Sequence, residues 1–411
     1  MEPLLQYFFR YVAVDTQSCE ESETSPSTPG QLELAKLAAE DLQKIGAESV
    51  RISEYGYVYA ELPPAPGWEN VPALGWIAHM DTASEASGKN VRPQVVQYSG
   101  GILPLPDGKT LDPDRFPALR RMAGHTLVTT DGTTLLGADD KAGMAEIVTA
   151  AELLIRRRIP HGRICIAFTP DEEIGRGTDH FDIPGFGAKY AYTMDGSEAG
   201  ALEYQNFNAA GAVVRFQGVP VHPGYAKGIM VNALHLAAGF DAMLPAEERP
   251  EHTEEMQGFY HWLHCSGTSA AAESEYLIRD HSAEIFAARK ERILQIAETM
   301  NQQYGAGTVT VTIKDQYSNM AQIIEKTPFL IAAAEDAIRR AGLTPAFPPV
   351  RGGTDGARLS EMGLPCPNLG TGGYNFHGEL EFASVPEMES AVAMLCHLAE
   401  HWREFAPEDA E

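Results

Sequence analysis

The chain has 411 residues, of which 44% are hydrophobic and 21% charged, a composition typical of globular proteins rather than disordered ones. This length exceeds what one ordinary hydrophobic core fills, so we expect two domains. The 31 basic and 57 acidic side chains give a formal net charge of −26, which argues against nucleic acid or an anionic membrane as a partner.

The cysteines and the amino-terminal stretch indicate the cellular setting. The five cysteines form no CxxC pair, so neither a disulfide framework nor a thiolate zinc site is predicted. The stretch MEPLLQYFFRYVAV has an acid at position 2 and no basic leader, which does not fit a signal peptide. No apolar run reaches the length of a membrane span. These features predict a reducing, cytoplasmic location.

Helices and strands alternate in the first half of the chain. The predicted elements are a helix over 34–45, a buried strand over 71–78, an amphipathic helix over 141–158, and strands over 163–169 and 189–194. Apolar strands that alternate with helices indicate an α/β domain whose mostly parallel sheet is covered on both faces.

The pattern changes near residue 209. From 209 to 320 the predicted order is strand, helix, two strands, helix and strand, which is the βαββαβ order of a ferredoxin-like sandwich. The α/β character then returns. We therefore expect a larger, discontinuous domain of residues 1–208 and 321–411, with a smaller domain of residues 209–320 inserted into it.

Polar side chains follow four of the predicted strands of the larger domain. They comprise His79 and Asp81, the run Asp171, Glu172 and Glu173, Asp195, and His377 in the glycine-rich loop TGGYNFHG; Asp139 and Asp140 start the helix after GADD. Ligands of open α/β sheets bind at the carboxyl ends of strands. Two histidines with several carboxylates and no cysteine form a ligand set that suits zinc, manganese or cobalt, and two such ions can share one carboxylate.

The three consecutive carboxylates, Asp171, Glu172 and Glu173, need an explanation because like charges repel. We interpret Glu173 as a metal ligand and Glu172 as a general base beside the metals, with Asp171 turned towards backbone or solvent. Each motif alone has an ordinary alternative, since HxD, DEE and GADD also occur in loops, turns and helix caps. Their conjunction at the ends of predicted strands favours a metal site.

With these residues identified, the sequence resembles the peptidase T family, the tripeptide aminopeptidase branch of the co-catalytic zinc exopeptidases that also include carboxypeptidase G-like enzymes. The resemblance covers almost the whole chain and is carried, in order, by AHMDT, TLLGADDKAG, AFTPDEEIGRG, YTMDG, VHPG, VRGGTDGA and TGGYNFHG. It implies a two-zinc catalytic domain with an inserted lid or dimerisation domain. It also implies removal of the N-terminal residue from short peptides, above all tripeptides, by a water that bridges two Zn²⁺ ions, with Co²⁺ or Mn²⁺ as substitutes.

The resemblance further implies roles for single residues. The implied metal ligands are His79, Asp139, Glu173, Asp195 and His377. Asp139 would bridge the metals, Asp81 would orient His79, and Glu172 would take a proton from the water and return it to the leaving amine. The run YTMDGSEAG has fewer glycines than is usual in this family, which affects the pocket beside the substrate's amine.

Four more residues are implied to bind substrate. His222 in VHPG resembles a lid histidine that stabilises the tetrahedral oxyanion, either in its own subunit or in a partner's. Arg279, Asn319 and Arg351 are the others, and a guanidinium suits the terminal carboxylate of a peptide. The expected partner is a small peptide, with no nucleic acid and no membrane, and a homodimer is left open.

Two alternatives stay open at this point. A carboxypeptidase, dipeptidase or N-acyl amino-acid deacylase would share the ligand set and differ in its pockets. A non-enzymatic metal-binding or assembly protein would be expected to lack the general base or a ligand, whereas Glu172 and all five ligands are present.

Overall fold

The computed structural model describes residues 2–407, which divide into two compact units. The first unit contains the chain up to Tyr204, Gln322–Pro348, and the chain from Thr354 onwards; the second contains Gln205–Ala321 and Pro349–Gly353. The short segment Pro349–Gly353 falls in the range that the sequence analysis assigns to the larger domain. It joins the second unit because Arg351 donates hydrogen bonds to backbone carbonyls of that unit.

The first part of the first unit alternates strands and helices. Its helices are α1 (Glu2–Val12), α2 (Pro29–Ile45), α3 (Ala138–Arg157) and α4 (Ile183–Phe186). Its strands are β1 (Glu48–Ile52), β2 (Val58–Leu62), β3 (Leu74–His79), β4 (Gln94–Gln97), β5 (Leu103–Pro104), β6 (Thr110–Leu111), β7 (Thr126–Thr129), β8 (Ile164–Thr169), β9 (Tyr190–Gly196) and β10 (Leu202–Glu203). Every residue of β3 and β8 is buried, as expected for central strands covered on both faces.

The second unit has the predicted βαββαβ order. Its elements are β11 (Asn208–Gln217), α5 (Ala233–Ala242), β12 (Phe259–Gly267), β13 (Ala271–Asp280), α6 (Ala283–Tyr304) and β14 (Val309–Tyr317). The antiparallel sheet has the order β12-β13-β11-β14. Alternate residues of β13 are buried, including Tyr276 and Ile278, and they pack in one core with apolar residues of α5 and α6. The ferredoxin-like sandwich is therefore confirmed.

The remaining elements are mostly those of the first unit. They are α7 (Ala321–Ile324), α8 (Pro328–Arg340), α9 (Asp355–Glu361), β15 (Asn368–Gly370), β16 (Gly373–Tyr374), β17 (Phe382–Ser384) and α10 (Val385–Phe405). The main sheet has the order β1-β2-β8-β3-β9-β15-β10, and its four middle strands are parallel. The predicted mostly parallel α/β sheet is confirmed.

A further antiparallel sheet, β16-β17-β7-β4, lies outside the predicted elements. Its strands have two to four residues, which is too few for a period-2 pattern to be recognised. Among the described residues, no helix combines the length and apolar character that crossing a membrane requires.

Candidate metal centre

His79 and Asp195 lie on neighbouring parallel strands, at the edge where ligands are expected. His79 is the last residue of β3, and Asp195 lies near the end of β9. The Nε2 atom of His79 is 3.5 Å from Oδ1 of Asp195 and 2.8 Å from Oδ1 of Asp139. His79 is only 3% exposed, so its ring nitrogen faces carboxylates rather than water.

Asp139 connects the two histidines of the cluster. Its Oδ1 faces His79, and its Oδ2 is 3.4 Å from Nε2 of His377. The same nitrogen of His377 is 3.0 Å from Oε2 of Glu173. The five predicted ligand residues therefore form one cluster, with Asp139 between its two halves, the position that a bridging carboxylate needs.

The backbone of Asp139 is held by Glu381, a residue that none of the sequence motifs contains. The carboxylate of Glu381 accepts hydrogen bonds from the backbone N–H groups of Leu136 (2.7 Å), Gly137 (2.8 Å) and Asp139 (3.1 Å). Glu381 is 1% exposed. One sequence signal could have indicated this role, namely an acid between two apolar residues, Leu380 and Phe382. Such an acid is expected to be buried, and a buried carboxylate requires hydrogen-bond donors.

Asp81 holds the loop that carries the predicted general base. Its two carboxylate oxygens accept hydrogen bonds from the backbone N–H of Glu172 (2.9 Å) and of Glu173 (3.1 Å). Its Oδ1 is also 3.4 Å from Nδ1 of His79. One buried side chain thus fixes both the Glu172–Glu173 backbone and one ring of the cluster.

Asp171 is fully buried and turns towards backbone rather than solvent, which is the first of the two expected alternatives. Its carboxylate accepts hydrogen bonds from the backbone N–H and hydroxyl of Ser27 and from the side-chain amide of Gln31. The amide oxygen of Gln31 in turn accepts from the backbone N–H of Asp171. These donors compensate the desolvation of the charge and attach the loop to the start of α2.

Asp140 is a second carboxylate beside His79 and an alternative metal ligand to Asp139. In the described chain, three groups of side chains are close enough to hold a metal. The two that include His79 contain Asp139 with Glu173, or Asp140 with Asp195. Asp140, however, already accepts backbone hydrogen bonds from His79 and Gly143. This favours a positioning role for Asp140 and leaves Asp139 as the shared carboxylate. The third group lies on α10.

The electrostatics of the cluster indicate excess negative charge in a buried place. Burial and the carboxylate of Asp139 raise the pKa of Glu173 to about 7, and burial followed by Asp195 raises the pKa of Glu172 well above its usual range. Hydrogen bonds to Asp139 and Glu173 raise the pKa of His377 to about 11. In addition, Oε1 of Glu173 is buried without a hydrogen-bond partner in the part of the chain that the structure describes. This unpartnered oxygen and the nitrogen and oxygen ligand set fit divalent cations.

The four predicted substrate-binding residues belong to the second unit. Arg279 donates to the carbonyls of Ala210 and Ile278. Asn319 is buried and donates to the backbone carbonyl of His281. His222 is exposed, and its Nδ1 accepts from the backbone N–H two residues later. The roles of these three residues stay predictions.

Arg351 is more heavily engaged within the second unit than expected. Its two terminal nitrogens donate to Thr253, Glu255 and Gln257, and its guanidinium lies over the ring of Phe207. These contacts satisfy donors that a substrate carboxylate would otherwise use. Its predicted role in substrate binding therefore stays a prediction.

Comparisons with known proteins identify the family of the chain. The Peptidase family M20/M25/M40 matches residues 126–401. Peptidase T of Clostridium perfringens (strain 13 / Type A) is 52% identical over 406 residues, which cover 98% of this chain and 100% of that protein.

Two solved structures show the same fold. Aminopeptidase PepT from Bacillus cereus has a TM-score of 0.78 at 22% identity, over 97% of this chain and 98% of that one. A dinuclear metal-binding peptidase from Bacillus subtilis has a TM-score of 0.64 at 18% identity, over 98% and 99%. The family match and the full-length identity to Peptidase T together confirm the resemblance predicted from the motifs. The chain therefore belongs to Peptidase family M20/M25/M40.

Proposed function

We propose that this peptidase is a tripeptide aminopeptidase that hydrolyses the N-terminal peptide bond of short peptides with the help of two divalent cations. The observation that carries the proposal is the convergence of His79, Asp139, Glu173, Asp195 and His377 at one edge of the sheet, next to Glu172. The full-length identity to Peptidase T supports the substrate class.

The cluster offers two sets of ligands. His79 and Asp195 would hold one ion, Glu173 and His377 the other, and Asp139 would be shared. Bound divalent cations in such sites lower the pKa of a water molecule and polarise a carbonyl group. Three carboxylates against four positive charges leave one positive charge, which an anionic nucleophile would balance. We propose zinc as the metal, with cobalt or manganese as substitutes.

Glu172 is the residue that we propose moves the proton. It is the one acid of the loop that is neither paired with a histidine, as Glu173 is, nor turned towards Ser27, as Asp171 is. Its carboxylate would accept the proton of the attacking water and donate it to the departing amine. Asp81 would keep this carboxylate in place through the backbone N–H that it binds.

The four predicted substrate-binding residues complete the proposal. We propose that Arg279, Asn319 and Arg351 bind the substrate, with a guanidinium at its terminal carboxylate, and that His222 stabilises the oxyanion. We further propose a cytoplasmic location, which the absence of disulfides among the five cysteines supports. A role in general peptide turnover fits this activity, and a homodimer remains a hypothesis.

The test compares one tripeptide with its N-acetylated copy, using metal-loaded protein and mass spectrometry of the products. An aminopeptidase releases only the N-terminal residue from the free tripeptide and does not cleave the acetylated copy. A dipeptide with a free amine serves as a length control and is expected to be hydrolysed more slowly. Cleavage of the acetylated copy would contradict the proposal and favour a deacylase or a carboxypeptidase.

A further inference from the structure

Helix α10 carries a second group of histidine and carboxylate side chains, separate in sequence from the cluster around Asp139. His397, Glu400 and His401 have spacings of three and four residues, so they lie on one face of the helix. One ligand atom from each lies within 4.8 Å of the others. The catalytic proposal uses none of the three.

The distances within this group exceed hydrogen bonds and are close to those of a shared metal ion. Oε2 of Glu400 is 3.7 Å from Nδ1 of His397 and 3.8 Å from Nε2 of His401. Hydrogen bonds of this kind are shorter than about 3.2 Å. Ligand atoms about 2.0–2.1 Å from a tetrahedral zinc ion lie roughly 3.3–3.4 Å from each other. A shift of a few tenths of an ångström would bring these two distances to that value.

Both histidines present a free nitrogen to Glu400. The Nδ1 atom of His397 is shielded from solvent and has no hydrogen-bond partner among the described residues. The Nδ1 atom of His401 is 2.8 Å from the carboxylate of Glu404. In the tautomer that donates to Glu404 from Nδ1, the Nε2 atom of His401 is an electron-pair donor. A carboxylate behind a histidine is a recurrent support of zinc ligands.

The charge around the group also favours a cation. Glu400 and Glu404 contribute two negative charges, and the group lies in the last turns of α10, near the negative end of the helix dipole. Arg340 on α8 interacts electrostatically with Glu400 and Glu404, and it also forms an ion pair with Asp336 at 2.5 Å. Among these four side chains, three are acidic and one is basic.

We propose that His397, Glu400 and His401 form an additional binding site for a transition-metal ion such as Zn²⁺, with water as the fourth ligand. The site is half exposed, with side-chain exposures of 34%, 43% and 21%, so it binds more weakly than a buried site. Its occupant would link successive turns of α10 and stabilise the end of that helix. The proposal does not rest on the proposed peptidase activity.

The test counts bound zinc by equilibrium dialysis of the full-length protein followed by elemental analysis. His401→Ala is expected to bind one zinc ion fewer per chain than the wild type, whatever the number at the other sites, and to hydrolyse peptides as the wild type does. Glu400→Gln is the second variant and should show the same loss. The matched control is His235→Ala, an exposed histidine on α5, which should bind as much zinc as the wild type.

The second readout is thermal unfolding with and without added zinc. Zinc should raise the unfolding midpoint of the wild type and of His235→Ala more than that of His401→Ala. In the presence of a chelator, all three proteins should unfold at the same midpoint. Glu404→Gln should reach the full zinc count with an affinity about 10–100-fold lower, the usual effect of losing a support of a ligand. Equal zinc counts for the wild type, His401→Ala and Glu400→Gln at every zinc concentration would overturn the proposal.

Discussion

The cluster around Asp139 takes its side chains from five separate segments of the chain, whereas the group on α10 takes three from little more than one helical turn. The regular geometry of the helix sets the spacing of the three side chains in the α10 group. The larger cluster has no such internal frame, and its loops are held by buried carboxylates that accept backbone hydrogen bonds, namely Glu381, Asp81 and Asp171. A buried site assembled over long range thus depends on supports that an exposed local site does not need.

The largest expected effect separates the chemistry of the Asp139 cluster from its metal binding. Glu172→Gln keeps the shape of the side chain and removes its ability to accept a proton. We expect kcat to fall by about 10²–10⁴, the usual contribution of a general base, while the zinc content stays unchanged. Steady-state kinetics on a tripeptide, with elemental analysis of the same sample, provides the measurement. Near-normal turnover would contradict the role of Glu172.

Removal of the proposed support behind Asp139 should weaken the long-range cluster and leave the α10 group intact. Glu381→Gln replaces one accepting oxygen by an amide that faces backbone N–H groups. We expect metal affinity at the cluster to fall about 10–100-fold and stability to fall by about 1–3 kcal/mol. The measurements are competition with a zinc indicator and chemical unfolding. Glu379, whose side chain is 42% exposed, is the control, since Glu379→Gln should alter neither quantity. Equal effects of both variants would contradict the proposed role of Glu381.

Asp171 tests whether the loop also depends on its attachment to α2. Asp171→Asn changes the acceptor for Ser27 and Gln31 and should lower stability by about 1–3 kcal/mol, because buried donors lose their partner. Displacement of Glu172 should also lower kcat more than it changes KM. Unfolding and kinetic curves measure the two effects. An unchanged kcat would restrict Asp171 to a structural role.

The smallest expected effect is on the pH dependence of stability, and it comes from a histidine whose pKa is set by burial rather than by a carboxylate. His161 is buried, and burial lowers its pKa below the usual value, in contrast to His377. The unfolded state therefore binds the proton more readily than the folded state. Stability should fall as the pH drops from about 6.5, the unfolded value, towards the lowered folded value. In His161→Gln this part of the pH dependence should disappear in unfolding measurements, and its persistence would assign the slope to other groups.

Long, patterned elements were predictable from sequence, and supports formed between distant loops were not. The ten residues of β13 alternate regularly in burial, so the βαββαβ order of the second unit could be recognised. His79 and Asp195 could be placed at one edge because parallel strands end together. The structure brings these side chains together, although their roles as ligands stay predictions.

The features that could not be predicted from the sequence depend on contacts between distant segments. Glu381 accepts from backbone groups more than 240 residues earlier, and nothing local marks that partnership. The burial of Asp171 depends likewise on Ser27, 144 residues away. Segment Pro349–Gly353 joins the second unit through Arg351, whose backbone partners lie 94 and 96 residues earlier.

The most direct test of the central claim is anomalous diffraction at the zinc edge from crystals grown with zinc. We expect two strong peaks in the cluster, both adjacent to Asp139, one of them beside His79 and Asp195 and the other beside Glu173 and His377. A single peak away from Asp139, or no peak among these five side chains, would contradict the assignment of a two-metal centre.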